Sequence, residues 1–258
     1  EVDEADKQGV DLSIIYEDDA LLVIDKPEGI AVHGGSGVSF GVIEALRRQR
    51  PLAKFLELAH RLDRETSGVL LVGKKRSALT ALHDMFREHG AGADKRYLVL
   101  VKGRWMNTTQ HVKLPLYKYL TESGERRVSV NPEGKASHTV FRLLARWPEM
   151  SLLEAQLKTG RTHQIRVHLA HLGFPILGDE KYGDFALNKN LQRHGLKRMA
   201  LHAWRMGFAH PLTAEPLECI APLPDSFGNY IVTVDAQNGR EFTADNFDEI
   251  IGKRFGNK

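Results

Sequence analysis

The chain has 258 residues, 42% of them hydrophobic and 27% charged, with a formal net charge of +3. These are ordinary globular values, so a packed core is expected, and the mild positive charge permits a polyanionic partner without requiring one. One cysteine, Cys219, excludes an internal disulfide and every zinc site built on two or more thiolates. No run of about 18 apolar residues occurs, so no membrane span is expected. The acidic start Glu1-Val2-Asp3-Glu4-Ala5-Asp6 does not read as a signal peptide, and a reducing, cytoplasmic compartment is the expectation.

In chain order, residues 14–16 and 21–24 are predicted as short strands around a turn at Asp18-Asp19. Pro27 and Gly29 break that pattern, and a glycine-rich loop, Gly34-Gly35-Ser36-Gly37, follows His33. Ser39 is the predicted cap of a helix through Val42, Leu46 and Gln49 that Pro51 ends. The apolar run 69–72 predicts a buried strand. Ser77 is the predicted cap of a second helix, with Leu79, Leu82 and Phe86 on one face. Residues 97–101 read as a strand with Tyr97, Val99 and Val101 on one side. Further strands are predicted at 111–114, 127–130, 137–144 and 152–157. Thr162 is the predicted cap of a helix containing Ile165, Leu169 and Leu172, closed by Gly173 and Pro175. Residues 203–209 and 217–220 read as strands, and 247–255 as a final amphipathic helix.

Strands outnumber helices and often follow one another directly. That predicts an α+β fold with a mixed, largely antiparallel sheet flanked by helices. One domain over residues 12–258, as a single body or two closely joined lobes, is expected, preceded by a polar, poorly ordered start. No repeat or linker marks an internal boundary. Basic groups at Arg47, Arg48 and Arg50, at Lys74 to Arg76, at Lys95 and Arg96, at Arg126 and Arg127, and at Lys197 and Arg198 read first as solvated surface.

The segment His60-Arg61-Leu62-Asp63-Arg64-Glu65-Thr66-Ser67-Gly68 lies between a helical region and the strand at 69–72. It is a polar loop at a sheet end, where catalytic groups concentrate. A carboxylate there suits a base, a metal ligand or a nucleophile. Thr66 and Ser67 can donate hydrogen bonds, and Gly68 allows close backbone approach. On composition alone a salt-bridged turn, with Asp63 paired to Arg61 or Arg64, is the stronger reading.

Four further segments change that balance. Asp25-Lys26-Pro27-Glu28-Gly29 with Val32-His33, then Lys95-Arg96-Tyr97, then Gly160-Arg161-Thr162-His163-Gln164-Ile165-Arg166-Val167-His168-Leu169, then Leu201-His202-Ala203 follow in order around the Asp63 segment. Together they resemble the RNA pseudouridine synthases typified by the ribosomal large subunit enzymes, over roughly residues 12–222. Gly34 to Glu44 and Phe55 to Leu58 resemble most the branch that modifies 23S ribosomal RNA. The resemblance implies the pseudouridine synthase fold, a monomer, an RNA partner, and no cofactor, metal or membrane. Members of that branch carry an N-terminal RNA-binding module of the S4 type. Nothing before Asp11 could form one, so a catalytic domain without it is expected.

The resemblance also implies the site. Asp63 is the essential carboxylate, attacking covalently or removing a ribose proton to give a glycal. Arg161 is its guanidinium partner and keeps it charged. Tyr97, counted with Asp63 and Arg161 as catalytic, stacks on the uracil and helps remove the C5 proton. Arg61 or His60 fills the gap left by the flipped uridine. Ile165 and Leu201 form the apolar wall of the uracil pocket. Arg166 and Lys26 either hold phosphates or form structural ion pairs. The competing readings are a metal site at His163, His168 and His171, a metal-dependent nuclease using Asp63, and a non-catalytic RNA-binding module.

Overall fold

The computed structural model describes residues 10–35, 40–87 and 92–252. In chain order the elements are β1 (Ser13–Glu17), β2 (Leu21–Lys26), α1 (Val42–Gln49), β3 (Glu57–Leu58), β4 (Ser67–Gly73), α2 (Arg76–Arg87) and β5 (Ala93–Lys102). There follow β6 (Thr109–Val112), β7 (Leu116–Leu120), β8 (Arg126–Val130), β9 (Thr139–Arg146), β10 (Met150–Leu157), α3 (Gln164–His171) and α4 (Phe185–Arg193). The chain closes with β11 (Leu201–Ala209), β12 (Pro216–Ile220), α5 (Asp225–Asn238), β13 (Phe242–Thr243) and α6 (Phe247–Ile251). Strands with antiparallel pairing plus helices make this the expected α+β class. No helix among the described residues is long and apolar enough to cross a membrane.

The chain divides into two compact units. The first runs through Lys95 and adds Ala203–Pro222; the second holds Arg96–His202 and everything from Leu223. Two of the crossings fall inside β5 and β11, which is why no linker is visible in the sequence.

In the first unit the strand order is β1-β2-β4-β11, with β3 on β4 and β12 on β11. Every residue of β4 is buried, as its continuous apolar run predicts. Leu21, Val23, Val69 and Leu71 pack with Leu82 of α2 and with Met206 and Phe208. Burying such side chains is worth roughly 1.5–3 kcal/mol each. The Asp18 carboxylate accepts from the amides of Ala20 and Leu21 and closes the predicted β1–β2 turn. Ser77, the predicted cap, lies inside α2, which starts at Arg76. Ser39 and the middle of the glycine-rich loop (Ser36, Gly37) fall outside the described residues. Gly41 takes the N-cap position of α1, and the Glu44 carboxylate accepts from the amides of Gly34 (2.7 Å) and Gly41 (3.1 Å).

In the second unit the order is β5-β10-β9-β13, with β6 on β9 and a separate β7–β8 pair. Its core joins Val99 and Val101 of β5, Phe141 and Leu143 of β9, Leu153 of β10, and Leu169 of α3 around the buried Trp105. Four elements here were not predicted: β7, α4, α5 and the two-residue β13. In β7 only Leu116 is buried, so no alternation shows. In α4 only Asn188 and Leu191 are buried, and the helix rests on its Asp184 cap, which accepts from the Leu187 amide. In α5 the run Ile231-Val232-Thr233-Val234 is β-branched and reads against a helix. Its buried face, Phe227, Ile231 and Val234, holds it there. The last helix ends at Ile251, short of the predicted 255; residues beyond Gly252 are outside the described part.

Candidate active site

Asp63 lies in the first unit, in the loop between β3 and β4. It is half-buried, flanked by exposed Arg61, Arg64 and Glu65 and anchored by buried Leu62, Thr66 and Ser67. The Thr66 amide donates to the Asp63 carbonyl at 3.0 Å and closes a tight turn. Arg64 is tied to Gly29 in both directions: the Gly29 amide donates to the Arg64 carbonyl (2.9 Å), and Arg64 Nε donates to the Gly29 carbonyl (3.0 Å). Within the turn Arg64 Nε also lies 3.7 Å from the Glu65 carboxylate.

Beneath this loop Lys26 is fully buried. Its ammonium donates to the carbonyls of Pro27 (2.8 Å), Ile30 (2.8 Å) and Arg64 (3.0 Å). An ammonium has three donors, and three carbonyls take them. Turned inward to these carbonyls, Lys26 joins the end of β2 to the Asp63 loop. Gly68, at φ +117°, ends the loop. A Cβ there would sit 2.0 Å from the Ala203 carbonyl oxygen, so β11 passes where any other residue would place a side chain.

His60 corrects the sequence reading as well. Its Nε2 accepts from the Leu71 amide at 3.0 Å, and its ring lies 5.1 Å from that of Phe86. Burial, with the Lys95 ammonium adding to it, pushes the imidazole down to about 3. His60 is a neutral ring fastened to β4, not a group available to replace a flipped base. Arg61 differs: it is exposed, and its side chain makes no hydrogen bond or ion pair among the described residues.

In the second unit, Tyr97 of β5 packs against the core cluster that contains Ile165 of α3 and Leu201 of β11. The tyrosine and both residues of the expected apolar wall thus share one cluster. Arg161 stands in the turn before α3, half-buried, with Nε donating to the Ala136 carbonyl at 3.1 Å. His163, not Thr162, holds the N-cap position of α3, in the left-handed region at φ 54°. The His163 ring bonds the Tyr182 hydroxyl at 2.7 Å.

Gln164 is the residue that sequence reasoning passed over. Its Oε1 accepts from the Arg161 amide (3.0 Å) and the Thr159 hydroxyl (2.7 Å), and its Nε2 donates to the His138 carbonyl (3.0 Å) and Thr139 Oγ1 (2.8 Å). All four sites of the amide are filled and the Arg161 turn is fixed to β9. One turn on, His168 is fully buried. Its Nε2 donates to the Leu114 carbonyl (2.9 Å) and its Nδ1 accepts from the Thr139 hydroxyl (2.9 Å). Burial holds its imidazole below the ordinary range. The signal was the spacing: a glutamine and a histidine four apart on an otherwise apolar helix face.

Arg166 is buried, and its Nε and Nη2 meet the two oxygens of fully buried Asp179 at 2.9 and 2.8 Å. Burial works against the charged carboxyl. The guanidinium and the amides of Lys181 and Tyr182 outweigh it and hold Asp179 below its usual value. Of the two roles expected for Arg166, the geometry is that of the structural ion pair. Arg198 is likewise buried rather than solvated, donating to the carbonyls of Met199 and Leu201. Among the described residues no group of three or more His, Cys, Asp or Glu side chains is arranged to hold a metal.

A family model described as RNA pseudouridylate synthase matches residues 20–171. Ribosomal large subunit pseudouridine synthase C of Haemophilus ducreyi is 54% identical over 210 residues, which cover 81% of this chain and 65% of that protein. The protein of the same name from Escherichia coli K12 is 52% identical over 214 residues, covering 82% and 66%. This chain therefore spans just under two thirds of the length of those relatives. Among solved structures, human RNA Pseudouridylate Synthase Domain Containing 1 aligns over 96% of each chain at 25% identity, with a TM-score of 0.74.

Proposed function

The chain belongs to the RNA pseudouridylate synthase family, and from that premise we propose that it isomerises specific uridines of large-subunit ribosomal RNA to pseudouridine. The reaction breaks the N1–C1′ bond, turns the uracil and joins C5 to C1′, while the C5 proton is lost and N1 regains one. Atoms and electrons balance within the substrate, so no cofactor is needed.

Asp63 is assigned the initiating role, by attack at C1′ or by removal of a ribose proton. A carboxylate that must meet one carbon needs a backbone that does not wander. The observation that carries the reading is the restraint of its loop: the Lys26 ammonium on the Arg64 carbonyl, the paired Gly29–Arg64 bonds, and the closed Asp63–Thr66 turn. Tyr97 is assigned to the uracil face, where an aromatic ring stacks on any base. Ile165 and Leu201, in its cluster, are assigned to the apolar edge of the base. Arg161, held in place by Gln164, is assigned to the negative charge of the reacting groups, for which a planar guanidinium suits better than an ammonium. Arg61, exposed, is assigned to the gap left by the flipped nucleotide.

The test is incubation of the purified chain with a large-subunit ribosomal RNA transcript in EDTA, followed by pseudouridine mapping. Site-limited pseudouridine formation that EDTA does not affect is expected. Tight RNA binding with no pseudouridine would instead favour a non-catalytic RNA-binding module, and chelator-sensitive strand cleavage a nuclease.

A further inference from the structure

Beside the Arg161 turn two histidines meet. His111, on β6, and His138, the residue before β9, place Nδ1 and Nε2 2.9 Å apart, with ring centroids at 5.1 Å. One ring donates and the other accepts, so a single proton serves the contact. His138 is also fastened to the Arg161 turn: its amide donates to Thr159 Oγ1 (3.0 Å), and its carbonyl accepts from the Lys158 amide (3.0 Å) and from Gln164 Nε2 (3.0 Å).

The surroundings are basic. His138 is held below the usual histidine range by burial first, and then by the charges of Lys113, His111 and Lys158, with no acidic group among the causes. Lys113 and Lys158 are exposed, and neither ammonium makes a hydrogen bond or ion pair among the described residues. Elsewhere on this unit exposed cations find carboxylates, as Lys102 does with Asp184 and Arg104 with Glu241. Here the paired imidazoles lie within the field of two ammonium groups, and among the described residues no carboxylate pairs with either lysine. An anion with several acceptor oxygens would relieve their mutual repulsion and use the ring N–H groups as donors.

We propose that His111, His138, Lys113 and Lys158 form a phosphate subsite that takes the RNA backbone next to the Arg161 turn. The proposal rests on the RNA-substrate reading above and adds to it where the strand is gripped. The lysines would supply charge, while the histidine pair, on short side chains tied to β6 and β9, would fix the register of one phosphate.

The test is binding of a fluorescein-labelled large-subunit ribosomal RNA transcript to the intact chain, by anisotropy, over roughly 50–300 mM salt. The variant is Lys113→Gln with Lys158→Gln, and the control is Lys189→Gln with Lys197→Gln, which removes the same charge from other exposed positions of the same unit. Two lost contacts to a single strand should flatten the slope of log K against log salt by about 1.4 and weaken binding about tenfold at intermediate salt. The control pair should change affinity less than about twofold. His111→Asn with His138→Gln, which leaves both lysines, should weaken binding while keeping the parent's melting temperature. Equal losses in subsite and control pairs would mean a diffuse field and overturn the proposal, as would no loss in either variant of the subsite. A parent chain that neither binds nor modifies the transcript would remove the RNA-substrate reading itself. A parent that does both, with subsite variants indistinguishable from it, removes only the subsite.

Discussion

Replacing Lys26 by Met probes how the Asp63 loop is held. The side chain is fully buried and its ammonium meets three carbonyls at 2.8 to 3.0 Å. Methionine keeps most of the volume and removes the charge. The change abolishes three hydrogen bonds to a charged group, each worth about 1.5–3 kcal/mol, but also relieves the several kcal/mol cost of burying the ammonium. What remains is the penalty for carbonyls left without donors, about 1–3 kcal/mol apiece when water cannot reach them. The Arg64 carbonyl keeps the Gly29 amide, so the loss falls mainly on Pro27 and Ile30. A net destabilisation of about 3 kcal/mol is expected, or a drop of about 10 °C in melting temperature for a chain of this size. Activity should fall further than folded fraction, because the Arg64 anchor is one residue from Asp63. Thermal melts and single-turnover pseudouridine formation, measured on the same samples below the melting range, give both numbers. A Lys26→Met chain that melts with the parent and turns over at the parent's rate would refute the reasoning.

Three other perturbations follow from the same structure. Gly68→Ala drives a methyl to 2.0 Å from the Ala203 carbonyl oxygen at φ +117°; a loss above about 3 kcal/mol is expected, and a normal urea midpoint would contradict the close approach. His60 titrates near 6.5 when unfolded and about 3 when folded. The unfolded chain therefore binds the extra proton between those values. Stability is full above about pH 6.5 and is lost as pH falls toward about 3, by up to about 2 kcal/mol at pH 5. Urea midpoints across that range should slope less in His60→Gln, and parallel slopes would rule the assignment out. Arg166→Met leaves the buried Asp179 carboxylate uncompensated and should cost about 3–5 kcal/mol. The double variant with Asp179→Asn, which keeps an acceptor for the Lys181 and Tyr182 amides, should recover at least half of that in a thermal double-mutant cycle.

What could be read from the sequence depended on whether a residue's partners lay nearby along the chain. β2 and β4 announce themselves as apolar runs, and α2 by its apolar stripe. β7 and α4 bury so little that their patterns carry no period, and α5 is helical because Phe227, Ile231 and Val234 are buried together, against its β-branched run. At the candidate site, residue types were legible and surroundings were not. Lys26, Arg166 and His60 are polar residues in polar segments, and each suggests a role toward RNA. Each is instead turned inward, to three carbonyls, to Asp179 and to the Leu71 amide. Gln164, given no role from the sequence, fixes the Arg161 turn. No local pattern tells a buried cation from an exposed one when its acceptor is a backbone carbonyl supplied by another segment.

The central claim is that Asp63 initiates uridine isomerisation. It is tested most directly by mapping pseudouridine in a large-subunit ribosomal RNA transcript after treatment with the parent chain and with Asp63→Ala, at matched folded concentrations and matched RNA binding. Modified uridines are expected with the parent and none above background with the variant. Equal modification by the two proteins would contradict it.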